Sequence, residues 1–490
     1  MYKIAIMFSN IRPYYLIIFI SASLSLLSCG SDDDATTAPD PILGCTDLES
    51  NNYNPDATED DGSCEYGPFL GELDWVKTYG GSDEDNAISI VKTGDGGFMV
   101  LSTTRSTDGD ITGKTSTDLD YWLLKLNSDG EKVWDKIYGG SLDDIATDID
   151  NTNDGGFIIS GYTASNDGDI SENAGSFDYW IVKVDGSGTI QWEKSWGYQG
   201  NDRAFGVIQT SDGGYFATGA LQVGEGGSGD EGNDFIESDD IRASQHSLGD
   251  YWGIKMDADG NKIWRRFFGG SQADESKDVI ETADGGFILI GVSDSPDFDI
   301  SNNRGANDFW LIKINAEGDL QWEKSLGGSE SEFAYSLTNT TDGNFIITGD
   351  TRSSDFDISS FKGNADVWVV KFDSSNGSIL WEKTFGGTSF DSSRGITSLD
   401  NGKYLISGNS SSSDLDVTSN NGSNDAWNFI IDEDGNLEFE INVGGTNIDL
   451  AFDAVETLDN KLVIAGYTGS NDIDITLNKG GNDLLIYKLK

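Results

Sequence analysis

Leu73-Asp74-Trp75-Val76-Lys77-Thr78-Tyr79-Gly80-Gly81 is a short strand-like run closed by a double glycine, and its second half returns along the whole chain. The glycine pair stands again at Gly139-Gly140, Gly269-Gly270, Gly327-Gly328, Gly386-Gly387 and Gly444-Gly445, with Gly197-Tyr198 as the third copy. Successive copies start 59, 58, 72, 58, 59 and 58 residues apart. A period of this length marks stacked or circularly arranged units rather than one irregular core.

Each unit carries four strand signals. In the second they are 146–151, 156–162, 178–184 and 189–194, rich in β-branched and aromatic residues. Turn words such as Asn153-Asp154-Gly155-Gly156 and Asp185-Gly186-Ser187-Gly188 part them. Seven such units read as an all-β fold, a seven-bladed β-propeller of four-stranded antiparallel blades. The chain ends favour a ring over an open solenoid, which would need polar caps. The last unit stops at its third strand, 483–489, while 73–79 stands at the start as a fourth strand without a blade. The N-terminal strand is therefore expected to complete the seventh blade and to remove two open sheet edges.

Composition agrees with tight β-turns, with 62 Gly against 6 Pro in 490 residues. The 31 basic and 85 acidic residues give a formal charge of −54. Nucleic acid is excluded as a partner on this reading, because phosphate neutralisation needs a basic face. So acidic a surface suits a highly solvated, extracytoplasmic setting or one that attracts cations.

The first residues have Lys3 and Arg12, then an apolar run from Tyr14 to Leu27, then Leu26-Leu27-Ser28-Cys29-Gly30. The run is short for a permanent span. It resembles a bacterial lipoprotein signal, and the resemblance implies lipidation of Cys29 after removal of residues 1–28. Ser31-Asp32-Asp33-Asp34 follows directly, similar to the surface-export signal of lipoproteins in Bacteroidota-type bacteria. The expected location is the outer membrane, anchored by lipid and facing outward. Residues 29–43 read as an acidic flexible tether, with Pro39 and Pro41.

Residues 44–67 hold the two other cysteines, Cys45 and Cys64, in an acidic segment that resembles thrombospondin type 3 calcium repeats. A disulfide between them is expected in an oxidising compartment, worth roughly 3 kcal/mol for a loop of this size. Asp56, Asp60 and Asp61 are candidate calcium ligands there, although the twelve-position calcium loop with its terminal Glu is missing. A plain disulfide-clasped spacer is the competing reading. The propeller is assigned to residues 68–490 and is expected to be monomeric.

Three acidic columns repeat through the propeller. Asp85, Asp144, Asp202, Asp274, Glu332, Asp391 and Asp449 follow the glycine pairs and are expected to ring the central opening as a ligand face. An Asp-x-Asp motif recurs as Asp108 and Asp110, Asp167 and Asp169, Asp297 and Asp299, Asp355 and Asp357, Asp414 and Asp416, Asp472 and Asp474, with Ser238-Asp239-Asp240-Ile241 as its variant in blade three. A further Asp precedes each third strand: Asp120, Asp178, Asp250, Asp308, Asp366, Asp425 and Asp483. Two readings compete for the motif. Calcium is the candidate cofactor; the alternative is that Asp caps turns by accepting backbone N–H bonds, as repetition in every blade suggests.

The fourth-strand Trp75, Trp134, Trp192, Trp264, Trp322 and Trp381, with Phe439 in the remaining copy, are expected to pack blade against blade. The string Lys313-Ile314-Asn315-Ala316-Glu317-Gly318-Asp319-Leu320-Gln321-Trp322 resembles the tryptophan-docking repeat of quinoprotein-like propellers. Quinone-dependent members of that group place their cofactor over a vicinal disulfide, and the propeller here has no cysteine. No quinone, haem or nucleotide is expected. His246 is the single histidine, which leaves no His-rich zinc site, and it lies in a longer acidic, glycine-rich loop from about Leu221 to Gly249 that would repel phosphate. The reading is a surface-displayed, non-catalytic binding module for a glycan, a protein or divalent cations. A glycoside hydrolase, which needs two well-placed carboxylates, is the enzymatic alternative, and a docking scaffold for outer-membrane partners is the third.

Overall fold

The structure is a computed structural model, and it describes residues 40–48, 50–222 and 249–490. The signal segment, Cys29 and the start of the tether lie outside the described residues, as do Ser238-Asp239-Asp240-Ile241 and His246 of the blade-three insertion. The chain forms two compact units, divided between Glu65 and Tyr66.

In the smaller unit Cys45 and Cys64 are disulfide-bonded. Its three candidate ligands are exposed. Asp60 Oδ1 accepts from Gly62 N at 2.8 Å, and Asp61 Oδ1 from Ser63 N at 3.0 Å. These are Asx-type turns, in which the acid mimics a turn of backbone. The Ser63 bonds hold the Asp61 carboxyl below its usual range.

The larger unit is seven four-stranded antiparallel sheets, and no described residue is helical. Six sheets are sequential, as in Asp144–Asn151, Phe157–Thr163, Asp178–Val184 and Ile190–Trp196 of blade two. The seventh takes its first three strands from the C-terminal end and its outer strand from Leu73–Tyr79, which pairs antiparallel with Asp483–Leu489. The ring is thus closed by the N-terminal strand. Lys490 N donates to Glu72 O at 2.9 Å and Leu70 N to Lys490 O at 3.0 Å, which extends the seam past the strand ends.

The sequence dictates the layering of each blade. Third strands such as Asp-Tyr-Trp-Ile-Val-Lys-Val are buried along their whole length, because both faces pack against neighbouring blades. Their Trp122, Trp180, Trp252, Trp310, Trp368 and Trp427 are fully enclosed. The indole N–H still needs a partner, and in Trp180 it donates to Glu193 on the outer strand at 3.1 Å. Three buried tyrosines tie adjacent blades: Tyr121, Tyr179 and Tyr251 donate to the carbonyls of Trp180, Trp252 and Trp310. The fourth-strand tryptophans are half-buried, save Trp264, which is buried, and each covers the glycine of the hairpin turn in the next blade. Trp134 does so over Gly188, whose φ of 76° also favours glycine. Phe439 repeats the contact over Gly71, just ahead of the closing strand, so the device runs across the seam.

Candidate functional site

The seven acids expected to ring the opening are in fact sealed inside the blade junctions, each fully buried. The expectation of an exposed acidic ring is corrected. Six of the seven begin the inner strand, and Asp202 stands one residue before it, so each side chain turns back under the preceding turn. Asp144 Oδ2 accepts from Gly140 N at 2.7 Å and Ser165 Oγ at 3.0 Å, and its other oxygen from Thr163. Asp85, Asp274, Asp391 and Asp449 are held in the same way by Gly81, Gly270, Gly387 and Gly445 N at 2.7–2.8 Å, and Glu332 by Gly328 N at 2.8 Å. Asp202 accepts from Tyr198 N at 2.6 Å and Gln222 N at 2.7 Å. A residue with this many fixed donors and no exposure organises a turn.

The Asp-x-Asp loops are staples as well. The first carboxylate accepts one residue past the glycine pair: Asp108, Asp167, Asp297, Asp355, Asp414 and Asp472 take the N–H of Ser82, Ser141, Ser271, Ser329, Thr388 and Thr446 at 2.8–2.9 Å. The second accepts from the first glycine: Asp110, Asp169, Asp299, Asp357, Asp416 and Asp474 take the N–H of Gly80, Gly139, Gly269, Gly327, Gly386 and Gly444 at 3.0–3.3 Å. Asp110, Asp357 and Asp416 also pair with Lys479, Arg304 and Lys362. Among the described residues, no group of three or more His, Cys, Asp or Glu is arranged to hold a metal ion. The residue between the two acids has a positive φ. It is Gly109 and Gly168 in the first two blades but Phe298, Phe356, Leu415 and Ile473 in the last four, with φ of 54–59° and 47–68% exposure. Bulky residues rarely take this conformation, and sequence reading passed over them.

The Asp expected just before each third strand is instead its first residue, and it completes the junction. A side chain at Gly139 would overlap both Asp120 Oδ1 and Asp144 Oδ2, so the two carboxyl groups converge where only glycine leaves room. The same convergence recurs at Gly80, Gly197, Gly269, Gly327 and Gly444. Oδ1 of Asp120, Asp178, Asp308, Asp366, Asp425 and Asp483 is buried without a protein donor. Burial, reinforced by the neighbouring acid, pushes Asp120 up to about 7 and Asp308, Asp366, Asp425 and Asp483 to about 6. Protonation of a carboxyl so placed removes the repulsion between the two acids.

With the acidic columns absorbed into the scaffold, a break in the sevenfold pattern among the described residues lies at the axis. Each inner strand bulges two residues past its buried acid, as between Ala146 and Asp148. The residue three past each buried acid lines one axial cavity of about 350 Å³. In chain order these residues are Ile88, Thr147, Phe205, Lys277, Tyr335, Arg394 and Phe452. From blade three to blade seven, aromatic and cationic residues alternate. Lys277 Nζ lies 3.7 Å from the centre of the Phe205 ring, and Arg394 Cζ lies 4.0 Å from that of Tyr335. Glu275 pairs with Lys277 at 2.7 Å, and Arg394 donates to Ser392 Oγ at 3.1 Å and Ser393 O at 3.2 Å. Nearby, Arg203 stands over Tyr162 at 5.5 Å and Arg352 over Phe333 at 5.2 Å.

Asp148, Asp150, Asp278 and Asp453 also line this cavity. Both oxygens of each are engaged. Asp148 accepts from Ile149 N and, across the blade boundary, from Val207 N at 2.9 Å; Asp278 accepts from Val279 N and Leu337 N at 2.9 Å. Asp453 accepts from Ala454 N, Ile90 N and Ser89 Oγ, and Asp150 from Asn151 N and Gln209 N. These acids lace neighbouring inner strands together. Burial raises all four, Asp278 to about 7. A larger cavity of about 660 Å³ lies beside Pro68–Gly71, but its charged groups are spoken for: Lys403 pairs with Glu438 at 2.5 Å, and Glu456 accepts from Asp400 N at 2.6 Å.

Neither a protein-family model nor a curated protein matches the sequence. Among solved structures, the extracellular domain of a hybrid two-component system from B. thetaiotaomicron is similar over 85% of this chain, at 12% identity and a TM-score of 0.41; the chain spans 43% of that protein. The Pan2 WD40 domain of Neurospora crassa matches over 86% of this chain and 97% of its own, at 9% identity and 0.41. An α-L-arabinanase from Penicillium chrysogenum, complexed with arabinobiose, matches over 69% and 91%, at 11% and 0.41. No function is taken from these likenesses.

Proposed function

We propose that this chain is a non-catalytic binding module that takes its ligand at the propeller axis, tethered outside the outer membrane through lipid on Cys29. The observation that carries the reading is the contrast within the axial cavity. Its carboxylates are each committed through both oxygens to N–H groups, while its aromatic rings and cations face the cavity in an order that no repeat requires. A glycosidase acid or nucleophile needs a carboxyl free to give a proton or attack the sugar. A binding site needs apolar surface with a few convergent polar groups, and a cavity of about 350 Å³ is in the range used for small ligands. Calcium is not required by this reading, because the Asp-x-Asp carboxylates already have backbone donors.

The test is a saccharide panel screened against the full chain for both binding and product release, run with calcium and with chelator. Saturable binding, equal in both arms and without released product, is expected. Released oligosaccharide would overturn the reading in favour of hydrolysis.

A further inference from the structure

The alternation of rings and cations at the axis makes a specific demand on the ligand. Lys277 and Arg394 are two cations in a chain of formal charge −54, brought from blades four and six to the same cavity. Each rests on the face of a ring contributed by an adjacent blade, Phe205 for Lys277 and Tyr335 for Arg394. Lys277 also pairs with Glu275 at 2.7 Å and Arg394 stands 3.9 Å from Asp350, so an anionic ligand would share each cation with a carboxylate already there. Phe452 adds a third ring from blade seven. Asp148, Asp278 and Asp453 line the same cavity, and each oxygen, already holding one N–H, keeps a further lone pair that a ligand hydroxyl could share.

Three kinds of complementarity therefore meet in one cavity: a paired cation for a carboxylate, ring faces for an apolar C–H face, and acceptors for hydroxyl groups. A simple aromatic acid would use two of these and leave the acceptors idle. A neutral sugar would use neither cation beyond the pairs Lys277 already makes with Glu275 at 2.7 Å and Arg394 with Asp350 at 3.9 Å. We infer that the axial cavity binds the end of an acidic saccharide, its carboxylate held between Lys277 and Arg394 and its ring stacked on Phe205, Tyr335 or Phe452. This rests on the reading of the axis as the binding site. The size of the cavity fits a chain end rather than a chain lying along the surface.

The experiment is calorimetric titration of the full chain with trigalacturonate and with its fully methyl-esterified form, repeated on Lys277→Gln, Arg394→Gln and the double variant. The acid is expected to bind at least about tenfold more tightly than the ester, since a charge-assisted bond is lost on esterification. The double variant should lose about tenfold or more for the acid and stay within twofold for the ester, and added salt should weaken only the acid. Because Arg394 also bonds to Ser392 and Ser393 and Lys277 also pairs with Glu275, melting curves are taken for each variant, and Lys277→Gln and Arg394→Gln are compared only where the chain is folded. Equal affinity for acid and ester, insensitive to either substitution, would overturn the charge assignment while leaving an axial binding module in place. Binding only of an apolar peptide with a free C-terminal carboxylate would overturn the sugar class. No binding by any acid, ester or neutral saccharide, here and in the panel, would remove the axial reading as well.

Discussion

A chain beginning at Gly80 is expected to melt at least about 10 °C below one beginning at Pro68, and to aggregate on concentration. The missing strand supplies the whole outer edge of blade seven. Leu73 and Val76 pack with Leu485, Tyr487 and Leu489, and Trp75 with Tyr79 packs into the neighbouring cluster of blade one. Removing four such side chains, at roughly 1.5–3 kcal/mol for each one fully buried, costs several kcal/mol even after allowance for their partial exposure. The loss also bares the N–H and C=O groups of Asp483–Leu489, an edge that invites pairing with another chain. Scanning calorimetry on the two chains measures it. Coincident melts would mean that the ring does not depend on its seam.

The second large effect is on pH. Folding raises the junction carboxyls above their ordinary value of 3.8, with Asp120, Asp202 and Asp274 near 7 and Asp178, Asp308, Asp366, Asp425 and Asp483 near 6. Burial is the first cause in each. A raised pKa means that the folded chain keeps protons that the unfolded chain releases. Its contribution is therefore complete below about pH 4 and is lost as pH rises through 6–7. The turn acids work in the opposite sense. Asp95, Asp154, Asp212 and Asp284 are held near 2, with Lys125, Lys183, Lys255 and Lys313 among the causes, and their contribution fades only below about pH 4. The two sets together place the stability maximum near pH 5, with a melting temperature on the order of 10 °C higher there than at pH 8. A melt that rises from pH 5 to pH 8 would show that the buried carboxyl pairs are not protonated.

How much of this was legible in the sequence depends on whether a residue repeats. The glycine pairs, the Asp-x-Asp motifs and the fourth-strand tryptophans recur in nearly every copy, so blade number, strand order and the closing strand could be read from their spacing. The direction of a side chain could not. Asp144 looked like a loop residue facing solvent because it is charged and follows two glycines; it is instead the first residue of its strand, turned inward onto Gly140 and Ser165. A buried acid is uncommon enough that charge misleads unless its donors are known. The axial residues failed for the opposite reason. Ile88, Thr147, Phe205, Lys277, Tyr335, Arg394 and Phe452 share one position, three residues after each buried acid, yet no two neighbours are alike, and a search for recurrence discards such a column. In a ring of near-identical blades the column that varies is the one free to serve a ligand.

The most direct test of the account is to fill the axis. Thr147 lines the cavity from blade two, and Thr147→Trp places an indole there without touching the Asp-x-Asp loops. The measurement is titration of Thr147→Trp with whichever saccharide the wild-type chain binds, beside Asp414→Asn in an exposed loop, with melting curves to confirm that both variants are folded. The account predicts that binding is lost in Thr147→Trp, by at least about a hundredfold, and is unchanged within twofold in Asp414→Asn. Undiminished binding in folded Thr147→Trp, with loss in Asp414→Asn, would move the site to the loops and contradict it.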